Sequence, residues 1–469
     1  MRQESRPITA IAKAADLTED ASRLKVLHAI HAHFPEAIGG IQMYLRDLMR
    51  CQMESGMDLR LLTGSMQSWD EVGGEPVRVD SVDGLKLHRA DHFFDHFAKS
   101  YHPVIEAKVR SYLENERPDL LHVHHWLMLT SNLVEIAQEL SIPSVITLHD
   151  ACTTCPRGYR VHRRGHACDL PLSIDNCADC VPRYGHESET EVATSIELFH
   201  EQLQAERAAA GAVLVATEAT AELVARTTGF PRTSMTVLPL GYHRRFADKT
   251  PEPRARASGE PMRFGWWGVP EQHKGVGVLV SACKILATGG DSFELHVFGA
   301  IDSAFGKRLQ RDADGLPVTF HGEFDAADLA GAELHIGVFP SLGFETYALT
   351  IDECFELQMP CIVSDVGALP TRAGRAGVVV PPGDAEALAA AMTKLIANSQ
   401  ECDELRRGVP ALSATPEQHA RELRTIYDRV VSVGAKPRTA TRASERWRQF
   451  IAGQKESILR SDHPETGPR

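Results

Sequence analysis

The sequence predicts an α/β protein of two domains, each a parallel β-sheet with helices on both faces. Short apolar runs typical of strands alternate with amphipathic helical segments, and this alternation favours parallel sheets. A length of 469 residues suggests two or three domains. A segment rich in Pro, Arg, Gly and Ser at 250–261 indicates a linker between them.

The charge balance limits the classes of function. Fifty Lys and Arg residues against 63 Asp and Glu residues give a net charge of −13. A general nucleic-acid binder needs a basic field, so no nucleic-acid partner is expected. No window approaches the roughly 18 apolar residues of a membrane span, and residues 1–20 lack the apolar core of a secretion signal. The expected compartment is the cytoplasm.

The first domain begins with a strand, a glycine loop and a helix. Lys25–Ile30 is an apolar strand pattern, Gly39 and Gly40 end the next loop, and residues 41–55 have amphipathic helical spacing. Paired glycines let a ligand approach the backbone closely, and a helix N-terminus attracts anions. Gly39 and Gly40 are therefore candidate ligand contacts. An ordinary tight turn is the alternative interpretation.

Two polar residues follow a later strand of the same predicted sheet. The apolar run 144–148 ends at His149 and Asp150. Ligands of parallel sheets bind at the carboxyl ends of the strands, so this pair lies at the expected binding edge. His149 is a candidate ligand contact, or it hydrogen-bonds within the edge of the sheet.

Five of the ten cysteines fall in the loop 151–187, with the spacing C-x2-C-x12-C-x8-C-x2-C. Thiolates two residues apart chelate one tetrahedral ion, so the loop predicts a structural zinc site. Spacing alone favours the two pairs, Cys152 with Cys155 and Cys177 with Cys180. Buried free thiols and a redox disulfide are the alternatives. Because the loop leaves the carboxyl end of a strand, we expect it to overhang the binding edge.

The second domain starts with another strand, turn and helix. Residues 263–268 are a strand pattern, and Lys274 and Gly275 precede a helical segment at 276–287. A lysine beside free helix amides can clamp a diphosphate. A solvated surface lysine is the alternative.

Two glutamates flank the loop and helix that follow strand 336–339. Glu345 lies on the loop, and Glu353 lies about one turn into a helix that starts near 350 and ends before Pro360. The helix N-terminus attracts an anion, and carboxylates accept hydrogen bonds from sugar and ribose hydroxyls. Two solvated surface acids are the alternative.

The C-terminal part is amphipathic and then basic. Residues 415–433 form a helix pattern, and residues 436–460 carry seven basic and two acidic residues around apolar positions at helical spacing. This basic segment could lie on an anionic membrane surface, pack on the protein as a helix, or be disordered. Asp312 and Asp314 form a D-x-D that we interpret as a turn and not as a metal site.

Residues 340–384 contain Pro-Ser, Glu-Thr, a second Glu after seven residues, P-x-I-x-S-D-V-G and V-V-P-P-G-D. This pattern resembles the nucleotide-sugar site of retaining glycosyltransferases of family 4. The resemblance covers roughly residues 25–432. It implies the GT-B fold, with two Rossmann-like domains facing across a cleft. It also implies that Glu345 holds hydroxyls of the donor sugar, that Glu353 holds the ribose, and that Thr346 shares the donor site.

The same resemblance assigns roles outside this segment. Gly39 and Gly40 would lie against the donor phosphates and the acceptor. His149 would touch the donor sugar near its primary hydroxyl, and Lys274 would bind the leaving diphosphate. His149, Lys274 and Glu345 are thus the candidate catalytic residues.

The sequence departs from the family pattern at three positions. Cys354 stands where Ala is usual, Gln358 where Gly is usual, and Val269 where an Arg usually precedes the lysine. The missing Arg would lower the affinity for the diphosphate. His273 could supply a hydrogen-bond donor to the diphosphate instead.

Some family members carry His-Asp, then C-P-R-G and further cysteines. This arrangement matches Cys155, Cys168, Cys177 and Cys180 as zinc ligands and leaves Cys152 as the alternative. We prefer this set to the two pairs. The resemblance further implies that the helix at 415–433 crosses back onto the first domain.

The predicted function is retaining transfer of a sugar from a nucleotide-sugar donor to the hydroxyl of a glycan, a lipid-linked or a small-molecule acceptor. Such an enzyme would serve polysaccharide biosynthesis, with no catalytic metal and with a peripheral contact at the inner membrane face left open. A nucleotide-sugar epimerase of the same fold and a non-catalytic nucleotide- or sugar-binding protein are the alternatives. A dinucleotide oxidoreductase is disfavoured because neither domain shows G-x-G-x-x-G after its first strand.

The predicted segments are a disordered tail at 1–23, an acceptor domain at 24–249, a linker at 250–261, a nucleotide-sugar domain at 262–414, a crossover helix at 415–433 and a basic tail at 434–469.

Overall fold

The computed structural model describes residues 23–459, with gaps at 35, 69–76, 81–83, 90–102, 182, 184–186, 247–255, 258, 413 and 438–442. The predicted tail up to residue 22, most of the predicted linker and the end of the basic tail lie outside the described residues.

An eight-stranded sheet forms the first half of the chain, in the order β3-β4-β2-β1-β5-β6-β7-β8. All pairs are parallel except β3 with β4. The strands are β1 Lys25–Ile30, β2 Asp58–Ser68, β3 Val77–Asp80, β4 Gly84–Arg89, β5 Leu120–Val123, β6 Ser144–Leu148, β7 Ala212–Val215 and β8 Met235–Val237. The sequence analysis missed β3, β4 and β8.

A six-stranded, fully parallel sheet forms the second half, in the order β11-β10-β9-β12-β13-β14. Its strands are β9 Met262–Trp267, β10 Phe293–Phe298, β11 Val318–Gly322, β12 Ile336–Phe339, β13 Cys361–Ser364 and β14 Gly377–Val380. The prediction of an α/β protein with two largely parallel sheets is confirmed. One sheet lies before the predicted linker, and the other lies after it.

Helices cover both sheets. Those of the first half are α1 Gly40–Glu54, α2 Pro103–Glu116, α3 Leu133–Glu139, α4 Ile174–Cys177, α5 Glu189–Ala209 and α6 Glu218–Thr228. Those of the second half are α7 Val276–Gly289, α8 Ala304–Asp312, α9 Ala326–Gly331, α10 Leu349–Glu356, α11 Leu369–Ala373, α12 Ala385–Ala397, α13 Ser399–Arg407, α14 Pro416–Val433 and α15 Ala443–Leu459. Asp312 ends α8, so the D-x-D lies in a helix-to-strand turn.

The buried apolar residues form two clusters in the first half and one in the second. Successive residues of β1 show why the first half has two. Val26 and Leu27 are both fully buried but belong to different clusters, because neighbouring strand residues point to opposite faces of the sheet. This is the pattern of a sheet covered on both sides by helices.

The two C-terminal helices return to the first half of the chain. On α14, Leu423 and Tyr427 are fully buried in the cluster that also contains Leu45 of α1. On α15, Trp447 is 1% exposed and joins the opposite cluster. The described part of the basic tail is therefore a helix packed on the protein.

Arginines of α15 also have acidic partners in the first half. Arg446 pairs with Glu201, and Arg448 Nη2 lies 2.6 Å from Glu106 Oε1. None of the described helices combines the length and apolar character needed to cross a membrane.

Candidate active site

An ion pair joins the loop after β12 to the turn before α7. Lys274 Nζ donates to Glu345 Oε1 over 2.8 Å, and Ser341 Oγ donates to the same oxygen over 2.7 Å. Burial raises the pKa of Glu345, but the Lys274 charge and these hydrogen bonds outweigh burial and hold the pKa below its usual value. Glu345 is therefore a carboxylate. No group in the described part of the chain donates to its Oε2, which can accept from a ligand.

Two glycines hold the Glu345 loop by close backbone contact. Gly275 has φ +72°, and a Cβ there would lie 1.8 Å from the carbonyl oxygen of Pro340. Gly367 has φ +56°, and a Cβ there would lie 2.2 Å from the carbonyl oxygen of Glu345, which also accepts from Ala368 N over 2.7 Å. A side chain at either position would push the loop away, so these glycines set where Glu345 lies.

Glu353 lies in α10 and is held from two sides. Arg245 Nη1 lies 2.6 Å from its Oε1, and Trp267 Nε1–H donates to its Oε2 over 2.6 Å. Burial raises the pKa of Glu353, and the Arg245 charge and the indole oppose this rise without cancelling it. Because each carboxylate oxygen can accept a second hydrogen bond, a ribose hydroxyl would share Glu353 with these partners.

His149 follows β6 and is 8% exposed. Its Nε2 lies 2.8 Å from Nδ1 of His124, which follows β5. Burial lowers the pKa of His149 to about 3, so the ring is neutral near pH 7. Its Nδ1 has no hydrogen-bond partner among the described residues. One ring nitrogen thus bonds within the sheet edge, and the other is available to a ligand.

The residue after Glu345 connects the two halves of the chain. Thr346 Oγ1 donates to the carbonyl oxygen of His149, and its own carbonyl oxygen accepts from Thr217 Oγ1 over 2.9 Å and Thr220 Oγ1 over 3.2 Å. Tyr347 OH donates to Leu240 O over 3.0 Å. Thr346 therefore holds the loop that carries Glu345 against His149, and its hydroxyl already has a hydrogen-bond partner in the protein.

We call the place where the Glu345 loop meets the first half of the chain the junction. Three helices that begin there carry no capping side chain. The N-cap residues are Gly39 for α1, Gly275 for α7 and Ala348 for α10, and none of them makes a side-chain cap hydrogen bond. Gly40 faces the start of α10, because a Cβ on it would lie 3.6 Å from Leu349 Cδ1. Other helices, such as α5 with Ser188, carry a capping side chain. The uncapped amides can therefore receive an anion.

The cysteine loop reaches the second half of the chain beside Lys274. The ring of Tyr159 stacks on the ring of His273, with centroids 3.9 Å apart and planes at 5°. The backbone N–H of Phe344 donates to Tyr159 O over 3.1 Å. A Cβ on Gly165 would lie 3.5 Å from Gln272 Nε2. The loop therefore lies over the junction, as its exit from β6 predicted.

The predicted zinc ligands are all free thiols in this structure. In the described ranges, two groups of three or more potential ligands lie within 4.8 Å of one another, and the set Cys155, Cys168, Cys177 and Cys180 is not among them. Burial raises the pKa of Cys177 to about 11, and the neighbouring Cys155 and Cys168 add to the rise. The thiols are thus neighbours but not a closed tetrahedral set, and zinc binding stays a prediction.

One of the two groups is His125, Asp150 and Cys152. His125 Nε2 lies 3.1 Å from Asp150 Oδ2, while Leu127 N donates to His125 Nδ1 over 2.9 Å. His125 therefore accepts at Nδ1 and donates to Asp150 from Nε2. Cys152 lies with these two residues.

The sequence analysis missed several residues at the junction. Arg245 and Trp267 contact Glu353, and Ser341 contacts Glu345, yet the sequence analysis assigned none of them a role. Ser341 belongs to the Pro-Ser pair of the family pattern, whereas Arg245 and Trp267 lie on segments far from Glu353. Arg245 lies just before the predicted linker at 250–261. Its partner Glu353 is more than a hundred residues away, so spacing could not have revealed the pair.

A cavity of about 520 Å³ lies elsewhere, lined in part by Arg263, His296, His321 and Glu323. None of the predicted site residues lines it. Cavity size therefore does not locate the candidate site in this structure.

Comparison with known families matches both halves of the chain. Residues 39–241 match the family described as glycosyl transferase 4-like domain, and residues 262–398 match the family described as glycosyl transferases group 1. A phosphatidyl-myo-inositol mannosyltransferase of Mycobacterium leprae is 29% identical over 183 residues, which are 36% of this chain. The match spans about half of that curated relative, 47% of its length.

Solved structures share the fold. A sucrose-phosphate synthase from Thermosynechococcus elongatus has a TM-score of 0.61 and 19% identity, covering 88% of this chain and 100% of its own. The Anabaena protein HepE in complex with UDP and glucose has a TM-score of 0.54 and 14% identity, covering 88% and 99%. Starch synthase IV from Arabidopsis thaliana, bound to ADP and acarbose, has a TM-score of 0.55 and 14% identity, covering 88% and 100%. The GT-B fold with two Rossmann-like domains is thereby confirmed.

Proposed function

The chain is a glycosyltransferase whose first half matches the glycosyl transferase 4-like domain and whose second half matches the glycosyl transferases of group 1, and we propose that it transfers a sugar from a nucleotide-sugar donor to an acceptor hydroxyl with retention of anomeric configuration. The observation that carries this proposal is the Lys274–Glu345 pair beside the uncapped start of α7. The ammonium of Lys274 suits a leaving diphosphate, and the carboxylate of Glu345 suits a sugar hydroxyl.

Lys274 and the free amides of the uncapped helices would stabilise the diphosphate as its negative charge grows. We assign stabilisation of the diphosphate charge to these groups and not to a catalytic metal. The ammonium lies at a half-buried position, where its charge is less screened than on the open surface. Gly39 and Gly40 would let the donor phosphates and the acceptor approach the start of α1.

Glu345 would accept from hydroxyls of the donor sugar through Oε2, and Glu353 would accept from the ribose. His149 would face the same sugar from the first half through Nδ1. Thr346 contributes to the donor site by holding Glu345 and His149 together, since its hydroxyl binds the His149 carbonyl. The site therefore orients the donor mainly by hydrogen bonds to carboxylates and one neutral imidazole.

The proposed chemistry needs no nucleophilic side chain. A phosphate oxygen of the donor would take the proton of the acceptor hydroxyl on the face from which the diphosphate departs. The bond to the diphosphate breaks as the acceptor oxygen bonds to the anomeric carbon from that same face, so the configuration is retained. The chain supplies position and charge stabilisation.

The relatives support the donor class without naming the substrates of this chain. The curated relative is named as a mannosyltransferase of phosphatidyl-myo-inositol, and the structural neighbours were solved with UDP, glucose or ADP. A nucleoside diphosphate sugar is the shared chemistry. The acceptor would be a glycan, a lipid-linked molecule or a small molecule. Contact with the inner membrane face stays a prediction, and residues 460–469 lie outside the described part.

We also propose that the cysteine loop shapes the acceptor side and binds one structural zinc through Cys155, Cys168, Cys177 and Cys180. The thiols would have to close around the ion, which would fix Tyr159 against His273. Elemental analysis of freshly purified, active protein tests this. Zinc well below one per chain contradicts it. If zinc is present, Cys152→Ser should keep it and Cys168→Ser should lose it. The reverse result would select the two C-x-x-C pairs.

The decisive test of the transfer reaction is release of free nucleotide over a panel of nucleotide sugars, each with water and with candidate acceptors. A new glycoside together with free nucleotide supports transfer. A changed sugar still bound to its nucleotide would show an epimerase. Tight nucleotide binding without turnover across the panel would show a binding protein.

A further inference from the structure

A hydrogen-bonded series of buried side chains runs from the candidate site to α14. His149 Nε2 lies 2.8 Å from His124 Nδ1, and His124 Nε2 lies 3.0 Å from His28 Nδ1. His28 Nε2 lies 2.8 Å from Gln52 Oε1. Gln52 Nε2 in turn donates to Tyr427 OH over 3.3 Å. We call these five residues the histidine relay.

The relay is shielded from water. His28, Gln52 and Tyr427 are fully buried, and His124 is 1% exposed. Burial lowers the pKa of His28 to about 4 and the pKa of His124 well below the usual histidine value. The three rings are therefore neutral, and each has one N–H and one lone pair. Each ring that accepts at one nitrogen must donate at the other.

The amide of Gln52 decides which nitrogens carry the protons. Its carbonyl oxygen can only accept, so His28 carries its proton on Nε2 and accepts at Nδ1. His124 then donates from Nε2 and accepts at Nδ1. His149 must donate from Nε2, which leaves a lone pair on its Nδ1. A turn of the amide by 180° would reverse every bond and place a proton on Nδ1 of His149.

The other end of the relay is satisfied by the same orientation. Tyr427 OH accepts from Gln52 and lies 2.6 Å from His122 Nδ1, to which it can donate. His122 Nε2 then donates to Thr147 Oγ1 over 2.8 Å. Tyr427 therefore gives the Gln52 amide an acceptor on the side away from His28.

A metal site is the competing interpretation, because ligand atoms of His28, His122 and His124 lie within 4.8 Å of one another. All six ring nitrogens of these residues already have a hydrogen-bond partner. A metal would have to break at least three of these bonds. The hydrogen-bonded series accounts for every nitrogen and is the better description.

We propose that Gln52 and Tyr427 are positioning residues that hold His149 as the tautomer with its lone pair on Nδ1, so that His149 accepts a hydrogen bond from a hydroxyl of the donor sugar. The inference rests on the proposed donor-site role of His149. It makes the tautomer of a site residue depend on an α1 side chain and on the C-terminal crossover helix.

The direct test is ring-nitrogen NMR on protein with ¹⁵N-labelled histidine and no ligand. The signal of His149 is identified by its loss in His149→Asn. Wild-type protein should show His149 protonated at Nε2 and not at Nδ1. Gln52→Met and Tyr427→Phe should each convert this signal to a mixture of the two tautomers. The matched control is Gln204→Met, which removes another glutamine near a histidine, on α5. It should leave His149 unchanged.

Kinetics give a second readout. Gln52→Met and Tyr427→Phe should raise the donor KM about two- to tenfold, as expected when one neutral hydrogen bond is weakened, and should change kcat less. The Gln204→Met control should match wild type.

Several results would overturn the inference. One is a proton on Nδ1 of His149 in wild-type protein, a measurement that needs no variant to fold. Another is a single unchanged tautomer in a folded Gln52→Met or Tyr427→Phe. A third is zinc that binds stoichiometrically and shifts the ring signals of His28, His122 and His124. If no donor turns over, the proposed function fails while the tautomer result stands. If the tautomer result fails, the Lys274 and Glu345 assignments are unaffected.

Discussion

The two sides of the candidate site use different electrostatics. The first-half side is the histidine relay, whose rings are buried and neutral. The second-half side consists of two ion pairs, Lys274 with Glu345 and Arg245 with Glu353. The first-half side offers a neutral imidazole, which would accept from a sugar hydroxyl. The second-half side would bring a cation to the diphosphate and carboxylates to hydroxyls of the sugar and the ribose. The difference shows how one site can combine stabilisation of charge by Lys274 with recognition of hydroxyls by both neutral and charged acceptors.

Removing the charge of the second-half side should have the largest effect. Lys274→Ala and Glu345→Ala should each lower kcat/KM roughly ten- to a thousandfold, because the first loses a charge on the leaving group and the second a hydroxyl acceptor. Steady-state nucleotide release measures this. Lys284→Ala is the matched control, since Lys284 is an exposed lysine on α7. Wild-type turnover by either alanine variant would show that these residues do not form the donor site.

Acid should weaken the first-half side. The pKa of His149 is about 3 in the fold, below its ordinary 6.5, so its stabilising contribution is complete above pH 6.5 and is lost as pH falls toward 3. Between pH 7 and pH 5 His149 alone should cost about 2 kcal/mol of unfolding free energy. The carboxylate of Glu345 has its pKa lowered, so it contributes little to this change.

Denaturant unfolding at pH 7 and pH 5 measures this difference. His149→Asn has no ring to protonate, so its stability should change less between the two pH values. An equal loss in wild-type protein and in His149→Asn would contradict the assignment of the acid sensitivity to this residue.

The Arg245–Glu353 pair offers a finer comparison within the charged side. Glu353→Gln should raise the donor KM about tenfold, because a carboxylate acceptor for the ribose becomes a neutral amide. Arg245→Ala should act in the same direction by leaving a buried carboxylate without its cation. The double variant should cost less than the sum of the two single effects. Additive effects would show that the two side chains act independently.

A stability prediction concerns the turn after α10. Gln358 has φ +56°, the left-handed conformation that costs a non-glycine residue about 1–2 kcal/mol. This explains why the family usually has glycine at this position. Gln358→Gly should raise the free energy of unfolding by about 1 kcal/mol and leave kcat/KM unchanged. The matched control is Gln418→Gly on α14, which should lower stability because glycine is unfavourable in a helix. A lower free energy of unfolding for Gln358→Gly would contradict the inference that the backbone at Gln358 is strained.

The sequence by itself determined the architecture and part of the site. Alternating strand and helix patterns predicted the parallel sheets, and the E-T segment with its second glutamate placed Glu345 and Glu353 on a loop and the helix after it. These features are local, since periodicity and turn chemistry act over a few residues. The domain limits, the zinc ligands and the residue roles stay predictions.

Only the tertiary structure decided which groups meet. The relay joins His28 of β1, Gln52 of α1, His124 and His149 at two strand ends, and Tyr427 of α14, which lies 375 residues after Gln52. The Arg245–Glu353 pair likewise joins two distant segments. Nothing in the spacing of such residues marks them as partners, because their contact follows from the order of strands in the sheet and from the return of the C-terminal helix. The protonation pattern of the relay is still harder to predict from the sequence. It follows from burial that excludes water and from the Gln52 amide, which accepts on one side and donates on the other.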